Sequence, residues 1–335
     1  MSDSQSQAGV SVMRDNHSRI IDYLRVSVTD RCNLRCVYCM PPEGVPLRPH
    51  GDLLSFEEIV AVVESAVALG VRKARLTGGE PLVRLGLTEL VRQLARIDGL
   101  KDLSLSTNGT LLKEHASALK AAGLRRVNVS LDSLKPERYR RITRHGDLAE
   151  TLAGIEAAEA TGLAPIKLNT VVMRGVNDDE VADLAALARN RGWSIRFIER
   201  MPLAEGGGGF VPSVEVRERL DPLGLLVRAS DDAQNGPARC YRLAGAPGSI
   251  GFISPLSEPF CASCNRLRLT STGMLRPCLL SNEGEVDLRA ALRAGTDRKA
   301  IQGLLLRAAA GKPGRHSLRE ADGMPHGAAM SQIGG

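Results

Sequence analysis

The sequence predicts an α/β protein, a partial TIM-like (β/α)6 barrel followed by a smaller C-terminal α+β domain. Short apolar runs alternate with amphipathic helical patterns six times between residues 23 and 199. This alternation is typical of a parallel sheet whose helices cover its outer face. Six units are two fewer than a closed eightfold barrel contains. We therefore expect an open barrel whose functional site lies at the C-terminal ends of its strands.

The individual elements follow in chain order. The predicted strands are Tyr23–Val28, Lys73–Thr77, Leu103–Thr107, Arg126–Leu131, Ile166–Val172 and Ser194–Glu199. The predicted helices are Ser55–Leu69, Leu87–Ile97, Leu111–Ala121, Leu148–Thr161 and Asp178–Asn190. Ser55 and Glu58 have the spacing of a capping box. Gly123, Gly162 and Gly192 stand where helices are expected to end.

The composition changes at two places and so divides the chain. Residues 1–17 are rich in Ser and Gln, and we expect them to form a flexible N-terminal tail. The run 205–209 contains four consecutive glycines shortly after the sixth predicted strand. We therefore place the barrel at residues 18–235 and the C-terminal domain at residues 236–335, where short strand-like segments follow.

The composition argues against several classes of protein. The 335 residues contain no apolar run of membrane-spanning length and no leader pattern, so we expect a cytoplasmic protein that does not enter a membrane. Seven cysteines, most of them clustered at metal-binding spacings, fit a reducing compartment better than a disulfide framework. The net charge of +6 permits an anionic ligand. Aromatic residues are only 3% of the chain, which leaves few platforms for stacked bases, so we expect no nucleic-acid partner.

Three cysteines within eight residues predict a metal cluster. Cys32, Cys36 and Cys39 can hold three irons of a 4Fe–4S cube and leave the fourth iron without a protein ligand. Electron-carrying clusters take four cysteines, so three indicate an iron kept open for a small molecule. Zinc is the alternative, although structural zinc loops usually complete the tetrahedron with a second pair of cysteines.

A second set of three cysteines lies in the predicted C-terminal domain. Cys261 and Cys264 are followed by Cys278 after a gap of thirteen residues. Cys240 lies in an alternating segment, and we interpret it as a buried strand residue. Two histidines near the C-terminus could complete a zinc site, so spacing alone leaves zinc open for this set.

Taken together, the motifs resemble one family of radical S-adenosylmethionine (SAM) enzymes. The CxxxCxxC loop follows the first strand, and Thr77–Pro81 (TGGEP) ends the second. Asn265–Thr270 (NRLRLT) directly follows the pair Cys261 and Cys264. These runs resemble the molybdenum cofactor biosynthesis protein A family, the GTP 3′,8-cyclases, from about Asn16 to the C-terminus. The resemblance implies two 4Fe–4S clusters, SAM as a cofactor and GTP as the substrate.

The resemblance also implies a reaction and a set of partners. The family converts GTP to (8S)-3′,8-cyclo-7,8-dihydroguanosine 5′-triphosphate, the first step of molybdenum cofactor biosynthesis. A reductant protein such as flavodoxin or ferredoxin, a downstream synthase that forms the pterin, and a homodimer are expected with it. The implied metal ligands are Cys32, Cys36 and Cys39 for the first cluster and Cys261, Cys264 and Cys278 for the second.

The other site residues implied by the resemblance fall into two groups. The expected SAM contacts are Tyr38, Gly79, Ser130 and Met201. The expected GTP contacts are Arg25, Lys73, Arg75, Ser106, Lys167, Arg196, Arg266, Leu267, Arg268, Gly334 and Gly335. Three of these are expected to act in catalysis as well as in binding: Arg25, Arg266 and Arg268.

Four arginines of the second group also have a physical interpretation of their own. Arg266 and Arg268 are two residues apart on a strand-like segment, so their side chains point to the same face. Arg25 and Arg75 lie inside predicted strands and can point into the barrel. A buried cation is costly unless it is paired. A triphosphate inside the barrel would pair several of them at once.

Two other classes of protein remain open from the sequence. A radical SAM maturase that modifies a peptide would use the C-terminal cysteines for an auxiliary cluster, but such maturases often carry more cysteines than this chain offers. A zinc- or cluster-bearing nucleic-acid-binding protein would suit the positive charge, but the chain has few aromatics and no basic repeats. The cyclase hypothesis therefore explains more of the sequence than either alternative.

Overall fold

One twelve-stranded sheet runs through both halves of the described chain. The computed structural model describes residues 12–202, 208–229, 236–316 and 330–333. The strands are β1 (Tyr23–Ser27), β2 (Lys73–Thr77), β3 (Asp102–Thr107), β4 (Arg126–Ser130), β5 (Lys167–Val172), β6 (Ser194–Glu199), β7 (Leu226–Arg228), β8 (Arg239–Leu243), β9 (Ser249–Ile253), β10 (Arg266–Leu269), β11 (Met274–Arg276) and β12 (Val286–Asp287). The helices are α1 (Phe56–Ala68), α2 (Leu87–Ala95), α3 (Leu112–Ala121), α4 (Pro136–Thr143), α5 (Leu148–Ala160), α6 (Val181–Asn190), α7 (Ser213–Glu218), α8 (Arg289–Arg293) and α9 (Arg298–Ala310). Among the described helices, none is both long and apolar enough to cross a membrane.

The first six strands form the partial barrel that the sequence predicts. β1 to β6 lie side by side in chain order, and each neighbouring pair is parallel. A helix lies in each connection between them, as parallel neighbours require. The predicted capping box is formed at the start of α1, where Ser55 Oγ accepts from Glu58 N at 3.2 Å and Glu58 Oε2 accepts from Ser55 N at 2.7 Å.

Strands of the C-terminal half extend both edges of this barrel. β10 is parallel to β1 and pairs Arg25 with Arg268. On that side β11 and β12 continue as antiparallel strands. β9 is parallel to β6 on the other side, and β8 and β7 continue antiparallel beyond it. The sheet stays open, but both edges of the barrel are covered by paired strands. The sequence analysis did not predict this continuity, and its domain boundary at residue 235 stays a prediction.

Several packed segments lie outside the predicted elements. The sequence analysis did not predict α4 or α7. α4 was missed because it is mostly polar and buries only Tyr139, Ile142 and Thr143. Part of the predicted flexible tail is also packed. Met13 is 2% exposed, and its N–H donates to Leu69 O at 2.8 Å. The glycine-rich run predicted to be flexible lies largely outside the described residues.

Side chains alternate across the barrel strands between an apolar outer layer and a polar interior. Leu24 and Leu76 are at most 1% exposed and belong to the hydrophobic core between the strands and the helices. Arg25 and Arg75 are their immediate neighbours in sequence, lie in register across β1 and β2, and line the interior. Because the side-chain period of a strand is two, the same strands build both the core and a charged interior.

Two helix glycines offer a matched test of this packing. A Cβ on Gly154 of α5 would lie 2.2 Å from Gly109 O and 3.1 Å from Leu112 Cβ. Gly154→Ala should therefore lower the free energy of unfolding by about 1–3 kcal/mol through overpacking. A Cβ on Gly303 of α9 would meet nothing within 4 Å, so Gly303→Ala should raise it by about 0.5–1 kcal/mol. Urea unfolding curves that shift in the same direction for both variants would contradict this packing.

Candidate active site

One cavity inside the barrel, with a volume of about 600 Å³, is lined by both cysteine sets. The first set lies on the loop after β1, at the C-terminal ends of the barrel strands. The second set comes from the segment before β10 and the loop after β11. The volume is within the usual range for sites that bind small molecules. All seven cysteines are free thiols, and Cys240 of β8 does not line this cavity.

The first cysteine loop is held by the C-terminal end of α4. Arg35 N donates to Thr143 O at 3.0 Å. Arg144 Nη1 donates to Arg35 O at 2.8 Å and to Met40 O at 2.9 Å, which fixes the loop just before its second cysteine and just after its third. Arg144 itself has a positive φ of 64°, which is uncommon for a residue other than glycine. A helix that the sequence did not predict therefore positions the first cysteine set.

The expected SAM contacts line the cavity beside this loop. Tyr38 donates its hydroxyl to Asp132 Oδ2 at 2.8 Å. Gly79 follows β2, and a Cβ there would lie 2.3 Å from Arg31 O, so this approach of two backbones requires glycine. The other two expected SAM contacts on the cavity wall are Ser130 and Met201.

Glu80 joins the loop after β2 to the loop after β3. Its carboxylate accepts from Leu82 N at 3.0 Å, Asn108 N at 2.6 Å and Thr107 Oγ1 at 2.8 Å. Burial raises the pKa of Glu80 to about 7, against the opposing effect of these three donors. The shape of this end of the cavity thus depends on one buried carboxyl group.

The second cysteine set is anchored from the N-terminal segment of the chain. Arg19 is 8% exposed and forms an ion pair with Asp15, whose Oδ2 lies 2.5 Å from Arg19 Nε. The same guanidinium donates to Cys261 O at 2.7 Å and to Pro313 O at 2.7 Å. The charge of Arg19 is therefore paired, and its remaining donors fix the backbone around the second set.

The thiols of the two sets lie in opposite electrostatic environments. Burial raises the pKa of Cys32 to about 11 and that of Cys39 to about 12. Burial also acts to raise the pKa of Cys264, but the charges of Arg266 and Lys312 outweigh it and lower that pKa to about 6. The first set thus ionises when a metal binds, whereas the second set contains a thiol already ionised at neutral pH.

The chemistry of both sets suits a 4Fe–4S cluster. Each offers three half-buried thiols to the cavity, and thiolates are the ligands that iron–sulfur clusters prefer. A backbone N–H also donates to one sulfur in each set, at 3.4 Å in both. Leu34 N donates to Cys32 Sγ, and Leu280 N donates to Cys278 Sγ. Such donors stabilise the charge of a metal-bound thiolate.

Basic side chains from six strands and one loop line the rest of the cavity. Among the described lining residues Asp102 is the one carboxylate, and it forms an ion pair with Arg126. Arg75 Nε donates to Ser104 Oγ at 3.1 Å, while the Arg266 guanidinium lies 5.0 Å from the centre of the Phe260 ring. The lining cations are Arg25, Lys73, Arg75, Arg126, Lys167, Arg196, Arg266, Arg268 and Lys312.

Burial, and after it the charges of neighbouring cations, lowers the pKa values of several of these side chains. Burial, followed by the charge of Arg196, lowers the pKa of Lys167 to about 6. Burial lowers the pKa of Arg25 and of Arg196 to about 10, and it moves that of Arg268 well below its ordinary value. Each shift shows that burial in the cavity wall disfavours the charged form. A bound anion would reverse the shifts, because an opposite charge nearby favours the charged form.

Most of the residues expected to contact GTP therefore meet in this cavity. Leu267 differs from its two arginine neighbours because its side chain is 1% exposed and lies in the hydrophobic core. Gly334 and Gly335 lie outside the described residues. The residues just before them do reach the site, since Met330 lines the cavity and its N–H lies 3.4 Å from Cys39 O.

Several site residues were missed by the sequence analysis. Arg126 and Asn128 lie on β4 with the same alternation as Ser130, so strand periodicity could have found them. Lys312 follows α9 and Arg19 precedes β1, and no local pattern marks either of them. Their roles depend on tertiary contacts with segments that are distant in sequence.

Comparisons with known proteins agree with this geometry. A family model described as the radical SAM superfamily matches residues 26–188, and one described as Molybdenum Cofactor Synthesis C matches residues 193–318. A protein of Pelotomaculum thermopropionicum named GTP 3′,8-cyclase is 53% identical over 328 residues, which cover 96% of this chain and 100% of that protein. A protein of Moorella thermoacetica with the same name is 50% identical over 326 residues, which cover 96% and 100%.

Solved structures share the fold at low sequence identity. SuiB of Streptococcus suis bound to S-adenosylmethionine matches with a TM-score of 0.60 and 13% identity, over 86% of this chain and 69% of that one. Native anSMEcpe with bound AdoMet matches with a TM-score of 0.54 and 18% identity, over 76% and 74%. These likenesses support the partial barrel fold. They do not identify the substrate, which has to be inferred from the residues that line the cavity.

The lowered pKa of Lys167 predicts a pH dependence for anion binding. The pKa in the fold, about 6, lies below the ordinary value of 10.5, so the fold loses stability as the pH falls through this interval. A bound anion raises this pKa, and binding then takes up a proton. The affinity of wild type for inorganic tripolyphosphate should therefore fall between pH 7 and pH 9, by up to about tenfold per unit.

Lys167→Met isolates this effect, because ionisation of the ligand is common to both proteins. Calorimetric titrations should give a ratio of wild-type to variant affinity that decreases as the pH rises. A constant ratio across the range would show that Lys167 does not change its protonation when the anion binds.

Proposed function

The chain belongs to the GTP 3′,8-cyclase family of radical SAM proteins, and we propose that it converts GTP to (8S)-3′,8-cyclo-7,8-dihydroguanosine 5′-triphosphate. This reaction is the first step of molybdenum cofactor biosynthesis. One observation carries the proposal: two three-cysteine sets open into the same cavity, whose described wall has nine basic side chains and one acidic one. Such a cavity suits a substrate that is a polyanion and that must meet two metal sites.

The first site would hold a cluster and SAM. Cys32, Cys36 and Cys39 would ligate three irons, and Gly79 would give the amino-acid part of SAM access to the backbone. When bound, the reduced cluster and SAM would supply one-electron chemistry that cleaves SAM to methionine and 5′-deoxyadenosine with removal of a hydrogen atom from C3′ of GTP. Bonding of C3′ to C8 would then be completed by a further electron from the reductant and a proton. Tyr38 is held by Asp132 against the same end of the cavity.

The remaining residues bind the substrate and fix its position. Arg25, Lys167 and Arg196 would neutralise the triphosphate, and each carries a pKa that an anion would restore. Arg266 and Arg268 both line the cavity, between the second cysteine set and β1. Their guanidinium groups can hold phosphate oxygens or a purine face while the ring closes. The enclosing wall excludes water from the reacting atoms.

The proposal extends to partners and location. Reduction of the first cluster requires an electron donor, which we take to be a flavodoxin or a ferredoxin. The cyclised nucleotide would pass to a synthase that forms the pterin. We further propose a homodimer in the cytoplasm, in keeping with the reducing environment that seven free thiols require.

The direct test is a product assay. Anaerobically reconstituted protein is incubated with SAM, dithionite and each nucleoside triphosphate in turn, and the products are examined by mass spectrometry. With GTP, and with no other nucleoside triphosphate, we expect three products: 5′-deoxyadenosine, methionine and an isomer of GTP. Formation of 5′-deoxyadenosine without a GTP isomer would contradict the proposed function.

Cysteine variants test the first site. Cys36→Ala should abolish the formation of 5′-deoxyadenosine, because the cluster loses one of its three ligands. Cys240→Ala is the matched control, since Cys240 is a free thiol that does not line the cavity. It should retain wild-type turnover. Retention of SAM cleavage by Cys36→Ala would remove this loop from the site.

Arginine variants separate substrate handling from SAM cleavage. Arg266→Ala and Arg268→Ala should still form 5′-deoxyadenosine but lose at least about 100-fold in cyclised product. Arg242→Ala replaces an exposed strand arginine and should behave as wild type. Equal product yields from all three variants would show that the two buried arginines do not act on GTP.

A further inference from the structure

Asn128 is a buried amide whose side chain has no hydrogen-bond partner. It lies on β4 and is 1% exposed, and both its Nδ2 and Oδ1 are buried and unbonded in the described structure. Asn177 is equally buried at 1% but fully bonded: its Oδ1 accepts from Met173 N at 2.8 Å, and its Nδ2 donates to Val171 O at 2.9 Å and to Asp132 O at 2.8 Å. Leaving such a group unsatisfied costs free energy. The unsatisfied amide of Asn128 therefore indicates a side chain that binds a ligand.

The position of Asn128 limits what that ligand can be. Asn128 lines the cavity and lies in register with Ser106 on β3 and Lys167 on β5. Arg126, two residues earlier on β4, belongs to the cationic wall. Ser130, two residues later, lies toward the end of the strand where the first cysteine set is found. Asn128 thus stands between the cations and the first metal site.

A carboxamide needs a partner that both accepts and donates. Phosphate oxygens at neutral pH accept only, so they would satisfy Nδ2 and leave Oδ1 without a donor. A hydroxyl group can accept from Nδ2 and donate to Oδ1. Under the proposed function, the part of GTP between its phosphates and the first metal site is the ribose, which carries two neighbouring hydroxyls.

We propose that Asn128 binds the ribose hydroxyls of the substrate nucleotide and so positions its C3′ toward the first metal site. This inference rests on the proposed function, because it takes the nucleotide to be GTP. SAM also contains a ribose. However, Asn128 is in register with Ser106 and Lys167, which are both expected GTP contacts, whereas the expected SAM contact on β4 is Ser130, two residues later. Asn128 is therefore assigned to GTP.

Binding measurements on the anaerobically reconstituted protein test the assignment. Dissociation constants are measured for GTP, 2′-deoxy-GTP, 3′-deoxy-GTP, inosine triphosphate and SAM, with wild type and with Asn128→Leu. Wild type should bind GTP about tenfold more tightly than at least one deoxy analogue. Asn128→Leu should bind GTP about tenfold more weakly and lose that preference, with its preference for GTP over inosine triphosphate unchanged.

Each alternative result is decisive. An unchanged preference for the ribose hydroxyls in Asn128→Leu would overturn the inference while leaving the proposed function intact. Weaker SAM binding with unchanged GTP binding would assign Asn128 to the other ribose, and loss of the preference over inosine triphosphate would assign it to the base. Failure of wild type to bind GTP at all would defeat the proposed function and this inference with it.

Thermal unfolding without nucleotide distinguishes a binding role from a structural one. Asn177→Leu removes three hydrogen bonds and should lower the melting temperature by several degrees. Asn128→Leu removes no hydrogen bond of the described structure and replaces an unsatisfied amide by an apolar group of similar shape. Its melting temperature should equal or exceed that of wild type. A fall as large as that of Asn177→Leu would make Asn128 a structural residue.

Discussion

Crowded, buried positive charge inside the barrel is the constraint on which the rest of the structure depends. The described cavity wall carries nine basic side chains and one carboxylate, and most of the cations are buried. Enclosed charges of one sign repel each other and have lost their hydration, so their pKa values fall. An anion with several charges relieves both effects at once. The fold is thus adjusted to bind an anion, which is typical of a binding site rather than of a structural ion-pair network.

The two cysteine sets are fixed around this charge by elements that are remote in sequence. Arg144, at the end of α4, fixes the first cysteine loop just before its second cysteine and just after its third. Arg19, from the segment before β1, holds the backbone at Cys261, and Lys312 donates to Arg266 O at 2.9 Å beside the same set. The parallel pairing of β10 with β1 then places the second set at the wall of the barrel. Both sets face the same cavity because one continuous sheet carries the segments that hold them.

Local sequence patterns predicted the parts of the molecule that depend on periodicity. The six barrel strands follow from alternation, and the same alternation placed Arg25 and Arg75 inside and Leu24 in the core. The start of α1 followed from its capping box. α4 was missed because its sequence is mostly polar, with an apolar face reduced to Tyr139 and Ile142. The packing of the segment around Met13, and the way C-terminal strands extend the barrel, were missed because nothing local encodes a pairing between distant segments. The terminal glycines remain predictions, since they lie outside the described residues.

The most direct test of the central claim compares GTP with guanosine as ligands of the reconstituted protein. If the cations of the cavity exist to neutralise a triphosphate, removing the three phosphates should weaken binding by about a hundredfold or more, and the difference should shrink as salt is added. Equal dissociation constants for the nucleotide and the nucleoside would show that the buried charge does not serve the substrate, and the account built on it would be wrong.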